Sequence, residues 1–286
     1  TKRQLSTSHA HFYPGYRELQ SIHATLSGME TRPGKAYPLG ATFDGTGTNF
    51  AIYSSVATAV TLCLLDDDLN EMRIPMTEVD AYVWHVYVPQ VRAGHRYGYR
   101  IDGPWYPMNG LRCDPSKLLL DPYAKAIEGQ LKDSLSLLSY CSDDPLVLKG
   151  GDSAAATMHS IVVNPFFDWQ GDHSPGHDYS ESIIYEAHIK GMTMRHPDVP
   201  EELRGTYAGV AHPVMIEYLK NLGVTTIELL PIHAKFDEPW LTRRGLSNYW
   251  GYATLSYFAP EPTYATKAAQ EIGPQAVLNE VRAMVS

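Results

Sequence analysis

The side chains able to do chemistry gather in the later part of the chain. Glu186 and His188 lie in Tyr185-Glu186-Ala187-His188-Ile189-Lys190-Gly191, Glu228 and His233 in Glu228-Leu229-Leu230-Pro231-Ile232-His233, and Asp237 and Glu238 just beyond. Two carboxyls across one gap can act as acid and base, or as acid and nucleophile. Glu186 and Glu228 sit inside apolar runs, however, where a hydrogen-bonded carboxylate buried in a strand is the commoner role, and Asp237 and Glu238 read as solvated loop charges. His188, His212 and His233 have no H-E-x-x-H or comparable spacing, so nothing marks a metal centre, and structural histidines are the expectation. His233 alone is placed to touch a bound molecule. Asn248-Tyr249-Trp250-Gly251-Tyr252 adds a dense aromatic loop, in which Asn248 either hydrogen-bonds a ligand or caps the turn. Tyr249, Trp250, Tyr257 and Phe258 read as packing residues. Trp84 and Trp105, far upstream, offer flat surfaces, although Trp84 lies in an alternating run where packing is the usual role.

The elements that must position these groups change character along the chain. Apolar alternation predicts strands at 48–54, 59–65, 83–88 and 96–101, broken by Gly45, Gly47, Asp66, Pro89 and Gly94, the pattern of an antiparallel sandwich. Residues 102–123 are dense in Pro, Gly and Asp and predict an ordered wrap in which Leu118, Leu119 and Leu120 are buried. From 128 to 178 the composition predicts a loop-rich linker with a strand near 160–163. The periodicity then switches. Residues 182–189 suit a strand buried on both faces; Pro213 opens a helix with apolar Val214, Tyr218 and Leu222, ended by Gly223; 224–231 is a second strand; and 274–286 is a further helix. Strand, helix, strand, helix opens a (β/α)8 barrel, which needs about 250 residues where only about 110 remain. The expected organisation is an N-terminal extension at 1–34 with a short helix at Leu19, Ile22 and Leu26, a β-sandwich with its linker at 35–175, and the first two β/α units of an incomplete TIM barrel at 176–286.

Composition narrows the partners. Twenty-three Lys and Arg against 32 Asp and Glu give a net charge of -9, which disfavours nucleic acid and favours a neutral ligand. No stretch approaches the roughly 20 apolar residues of a membrane span and no signal-peptide pattern opens the chain, so the cytoplasm is expected. Cys63, Cys113 and Cys141 read as free buried thiols.

Several motifs in order resemble the bacterial glycogen debranching enzymes, isoamylase-like glycoside hydrolases of the α-amylase superfamily. They are Tyr37-Pro38-Leu39-Gly40-Ala41-Thr42, Tyr97-Gly98-Tyr99-Arg100 with Gly103-Pro104, Lys117 through Ala124, Gly191-Met192-Thr193, and His196 through Gly209. The resemblance implies a family-48 carbohydrate-binding sandwich before a catalytic barrel, and hydrolysis of α-1,6 branches in glycogen or a limit dextrin with no cofactor. It makes Tyr252 the leading substrate contact, an aromatic face on a pyranose near the cleaved bond, with Asn248, Trp250 and His233 as further substrate-binding candidates. A retaining glycosidase needs two carboxyls about 5 Å apart. In this family they stand at the ends of the fourth and fifth barrel strands, so no catalytic residue is assigned here: they are expected beyond Ser286, and the chain alone is expected to be inactive. The third-strand motif of Asp, Val and Asn-His is also absent from the sequence. The alternatives are a trehalose-releasing or branching relative, or a non-catalytic carbohydrate-binding or assembly fragment. The open barrel edge is expected to be exposed and to promote self-association.

Overall fold

The computed structural model describes residues 29–132 and 135–286. The helix expected around Leu19, Ile22 and Leu26, and most of the 1–34 extension, lie outside the described residues. The first part is built from β1 (Gly40–Phe43), β2 (Thr48–Tyr53), β3 (Ala59–Leu65), β4 (Glu71–Met76), β5 (Glu78–Asp80), β6 (Val83–Val88) and β7 (Arg96–Asp102). A small hairpin, β8 (Trp105–Tyr106) with β9 (Leu111–Arg112), and then β10 (Ile127–Glu128) and β11 (His159–Ile161) follow. One antiparallel sheet runs β1-β2-β6-β5 and the other β10-β11-β7-β3-β4. Alternation drives their packing: Phe50 and Ile52, Val60, Leu62 and Leu64, Val86 and Val88, and Tyr97, Tyr99 and Ile101 turn into one shared core. Each large side chain fully buried there contributes roughly 1.5–3 kcal/mol.

Buried polar groups tie the following segment to this core. The Arg100 guanidinium is 3% exposed and meets Glu71, Asp152 and the carbonyls of Pro115 and Ser116. The Lys117 ammonium donates to the carbonyls of Ser136 and Gly151 at 2.8 and 2.6 Å. Tyr97 Oη donates to the buried Asp121 carboxylate at 2.8 Å. Three expectations need correcting. The stretch 128–178 is not simply a linker, because Ser153, Ala156 and Met158 are buried and β11 pairs with both β10 and β7. Leu118 is buried, but Leu119 is 43% exposed; it is satisfied through its backbone bridge to Tyr99 instead. Of the cysteines only Cys63 is buried, whereas Cys113 and Cys141 are half-buried.

The later part contains β12 (Ile184–Ala187), α1 (Ile189–Thr193), α2 (Tyr207–Val210), α3 (Pro213–Asn221), β13 (Thr226–Leu229), β14 (His233–Lys235), α4 (Pro239–Thr242), β15 (Thr254–Pro260), α5 (Lys267–Ile272) and α6 (Pro274–Val285). β12 and β13 are parallel, with Glu186 opposite Glu228 and Ala187 opposite Leu229. Pro213 opens α3 behind an His212 cap, but the face it buries is Met215 and Leu219, not Val214, Tyr218 and Leu222. The strand expected to be buried on both faces is not: Ile183 and Ile184 are 50% and 61% exposed, because only β13 pairs with β12 and nothing described covers the Ile184 face. The two parts join through Ala124, Ile127 and Met158 packed on Ala234 and Ala259, and Tyr123 stacks on Phe258 at 5.3 Å. Among the described residues no helix is long and apolar enough to cross a membrane.

The turn chemistry and one buried carboxyl make the stability of this fold testable. Ala81 and Tyr82 form the two-residue connection from β5 to β6 at φ +48° and +68°, a pair of left-handed positions that favours Asn-Gly. Replacing both (Ala81→Asn with Tyr82→Gly) should stabilise the fold by about 1–2 kcal/mol in urea unfolding. Burial pushes the Asp121 carboxyl up from 3.8 to about 6, against the hydrogen bonds from Tyr123 and Tyr97 that lower it. The folded chain therefore holds this proton more tightly than the unfolded chain between those values, and stability should rise as pH falls through that window. Asp121→Asn should remove this component, of order 2 kcal/mol, from the difference between urea midpoints at pH 7 and pH 4.

Candidate functional site

Parallel α/β units place ligands at the C-terminal ends of their strands. Here β12 and β13 end level with each other, and the chain leaves them through His188 and through Leu230-Pro231. The aromatic loop docks on those two exits. His188 Nδ1 accepts the backbone N–H groups of Lys190 and Gly191, both at 3.1 Å, and so caps α1. Its Nε2 donates to the Tyr249 carbonyl at 2.7 Å, which assigns the neutral tautomer with hydrogen on Nε2. The imidazole also stacks on the Tyr249 ring, centroids 4.1 Å apart and planes within 10°. The Tyr264 hydroxyl adds a third support, 3.2 Å from both His188 Nε2 and the Tyr249 carbonyl.

Glycine allows this approach at two points. A Cβ on Gly191 would lie 2.8 Å from Tyr249 Oη, and one on Gly251 would lie 2.9 Å from the Pro231 carbonyl, where φ is also +82°. Asn248 is 9% exposed; its N–H donates to Asp237 Oδ1 at 2.6 Å and its own Oδ1 accepts the Gly251 N–H at 3.0 Å. The turn-capping role thus has a direct partner. With its base held this way, the loop presents Tyr252 (67% exposed) and Trp250 (63% exposed) to solvent, and Tyr249 is half-exposed over His188. His233, on β14, lies beside Tyr257 with ring centroids 5.7 Å apart. Trp250 and Tyr257 were expected to pack and instead stand exposed, while Phe258 packs one face on Tyr123.

The carboxylates divide by employment. Glu186 and Glu228 are neighbours in register, and both are exposed rather than buried, since the face they share is uncovered. Asp237 holds Asn248 and lies 3.7 Å from Lys235 Nζ. Glu238 is partly buried and opens α4. Sequence reasoning missed Glu261, which is 3% exposed and accepts the N–H groups of Thr263 and Lys235, so that it locks the end of β15 to β14. Its signal was present, a carboxylate directly before Pro262 at a helix start, but Tyr264 carries no local mark of its contact with His188. Among the described residues no group of three His, Cys, Asp or Glu is placed to hold a metal ion. The site offers exposed aromatic faces beside one Lys–Asp pair, a surface suited to the C–H faces of a neutral polyhydroxylated ring.

Comparisons with known proteins give this geometry a context. Residues 38–124 match carbohydrate-binding module 48 (isoamylase N-terminal domain). The chain is 54% identical over 241 residues to the glycogen operon protein GlgX homolog of Mycobacterium bovis, covering 82% of this chain and 33% of that protein. It is 48% identical over 233 residues to the glycogen debranching enzyme of Yersinia enterocolitica, covering 82% of this chain and 35% of the enzyme. The chain therefore spans about a third of the length of the curated relatives it matches. Among solved structures, the pullulanase of Anoxybacillus sp. LM18-11 complexed with maltotetraose is similar in fold, with a TM-score of 0.59 at 22% identity over 88% of this chain and 33% of that one. The pullulanase of Bacillus acidopullulyticus gives 0.61 at 22% identity over 88% of this chain and 28% of that one. The resemblance to bacterial glycogen debranching enzymes drawn from the sequence motifs is thus matched across most of the chain.

The anchoring geometry separates two kinds of substitution. His188→Ala removes a helix cap and a buried hydrogen bond and should lower stability by about 2–3 kcal/mol in urea unfolding. Tyr252→Ala removes an exposed ring and should stay within about 0.5 kcal/mol of the unaltered chain in the same measurement.

Proposed function

We propose that this chain is the front portion of a glycogen debranching hydrolase. In this reading a carbohydrate-binding sandwich, ending near residue 175, precedes the first two β/α units of a (β/α)8 barrel. The complete protein hydrolyses α-1,6 branch linkages of glycogen or limit dextrin in the cytoplasm. The observation that carries the reading is the aromatic loop pinned across the C-terminal ends of two parallel strands, with Tyr252 and Trp250 directed to solvent. The relatives named glycogen debranching enzyme support it at 47–48% identity.

The chemistry is a double displacement. A carboxylic acid protonates the glycosidic oxygen while a carboxylate attacks the anomeric carbon; water then cleaves the glycosyl intermediate, with the first group acting as base. Tyr252 lies against the sugar beside the cleaved bond, where its π face stabilises a ring gaining positive charge. The carboxylates described here do not suit that pair. Glu186 and Glu228 project from one face of adjacent strands rather than flanking a ring, Asp237 is committed to Asn248 and Lys235, and Glu261 is buried against backbone donors. We therefore assign the acid and the nucleophile to sequence beyond Ser286. Asn248 acts by shaping the loop, and Trp250 and His233 line the approach to Tyr252. The parallel pair leaves Ile184 exposed on one face and Ile227 on the other, which favours self-association of this chain by itself and should appear as concentration-dependent sedimentation.

The test is reducing-end release from a branched limit dextrin. The 286-residue chain should release none, and a chain extended to the length of the curated relatives should be active. Activity in the short chain that is lost in Glu186→Gln or Glu228→Gln would contradict the assignment.

A further inference from the structure

The loop that carries Tyr252 has a second anchor besides His188, and a buried cation sits at its centre. Lys235, the last residue of β14, has a side chain only 9% exposed. Burying an ammonium costs free energy unless an opposite charge stands beside it. Here that charge is Asp237, whose Oδ1 lies 3.7 Å from Lys235 Nζ, an ion pair longer than a hydrogen bond. The same Oδ1 accepts the Asn248 N–H at 2.6 Å, and Asn248 Oδ1 in turn accepts the Gly251 N–H at 3.0 Å. Lys235 also meets the turn directly. A Cβ on Gly251 would lie 3.7 Å from Lys235 Cδ, so the aliphatic stem lies beside the residue that precedes Tyr252. The backbone beneath is fixed: the Lys235 N–H donates to the buried Glu261 carboxylate at 3.1 Å, and the Phe236 N–H donates to the Ala253 carbonyl at 3.1 Å.

We propose that Lys235 is a positioning residue for the hydrolysis: it touches no sugar, and through Asp237 and Gly251 it fixes the turn that aims Tyr252 at the glucan. The proposal rests on the debranching reading above. Each charge explains the other. Asp237 is 38% exposed, so its carboxylate by itself would be free to turn towards water, and the ammonium keeps Oδ1 at the Asn248 N–H. Lys235 by itself would be a buried cation without a counter-charge. The pair and the stem thus hold the Asn248–Gly251 turn from two directions, one polar and one apolar. Gly251 stands at φ +82°, a conformation that depends on its surroundings to keep it, and Tyr252 follows directly. Loss of the charge frees Asp237, loosens the turn and moves the ring, and a displacement of about 1 Å in a substrate-positioning group lowers rates by as much as 10²-fold.

Lys235→Met keeps most of the stem and removes the charge, so it isolates the ion pair. In the 286-residue chain it should speed amide hydrogen exchange across residues 248–253 by about tenfold and leave exchange in β13 unchanged. In a chain extended to the length of the curated relatives it should lower kcat/KM on a branched limit dextrin by about tenfold. The loss should shrink to less than about twofold in a Tyr252→Ala background, because a residue that acts through Tyr252 then has nothing to position, whereas a purely stabilising role loses the same factor in both backgrounds. Adding Asp237→Asn to Lys235→Met should restore kcat/KM to within about threefold, since the amide oxygen still accepts the Asn248 N–H and no unpaired carboxylate remains. Equal losses in the two Tyr252 backgrounds, or unchanged exchange across 248–253, overturn the positioning role and leave the debranching reading standing. An unaltered extended chain that releases no reducing ends overturns the debranching reading, and the positioning role with it.

Discussion

The arrangement at the candidate site depends on one imidazole. His188 sits where β12 ends, and its two ring nitrogens serve different partners. Nδ1 closes the first turn of α1, and Nε2 holds the Tyr249 carbonyl. Because both interactions belong to the same neutral tautomer, the direction of the chain leaving the strand and the position of the aromatic loop are set together. Gly191 permits the close stacking, Tyr264 adds its hydroxyl to the same carbonyl, and Asn248 with Asp237 shapes the remainder of the turn. Tyr252 and Trp250 are then exposed rings on a fixed base, the condition under which a stacking surface loses little entropy on binding.

A second constraint joins the site to the sandwich. β14 and β15 extend from the parallel pair and bury Ala234 and Ala259 against Ala124, Ile127 and Met158, while Ser256 Oγ donates to the Ala124 carbonyl. From α6, Gln275 and Arg282 reach the backbone carbonyls of residues 164–166. Apolar burial and backbone hydrogen bonds together hold the two parts in one arrangement. The parallel pair itself has no such cover on the face of Ile184 and Glu186 among the described residues.

The sequence was legible where packing follows period. β3 and β6 fall on the expected residues because alternation is strict there, and β2 and β7 differ by one residue at an end. β4 was hidden by Pro75, tolerated because the strand lies at the sheet edge, and β5 was hidden because Glu78, Val79 and Asp80 are all exposed. The helix at Pro213 was legible from its start signal, but its buried face was not, since Met215 and Leu219 face a partner set by tertiary packing. At the site, the motif residues pointed to Tyr252, whereas the histidine, tyrosine and carboxylate that hold its loop are far apart in sequence. Nothing local distinguishes His188 as an anchor from His188 as a core residue, because its partner Tyr249 lies 61 residues away.

The most direct measurement is amide hydrogen exchange of the 286-residue chain with and without a saturating branched limit dextrin. If the loop is the glucan contact on this part of the protein, exchange across residues 248–253 should slow on adding the dextrin, while the strand at 226–229, already paired with β12, should change little. Exchange at 248–253 that is unaffected by a dextrin the chain demonstrably binds would contradict the account and move the site elsewhere.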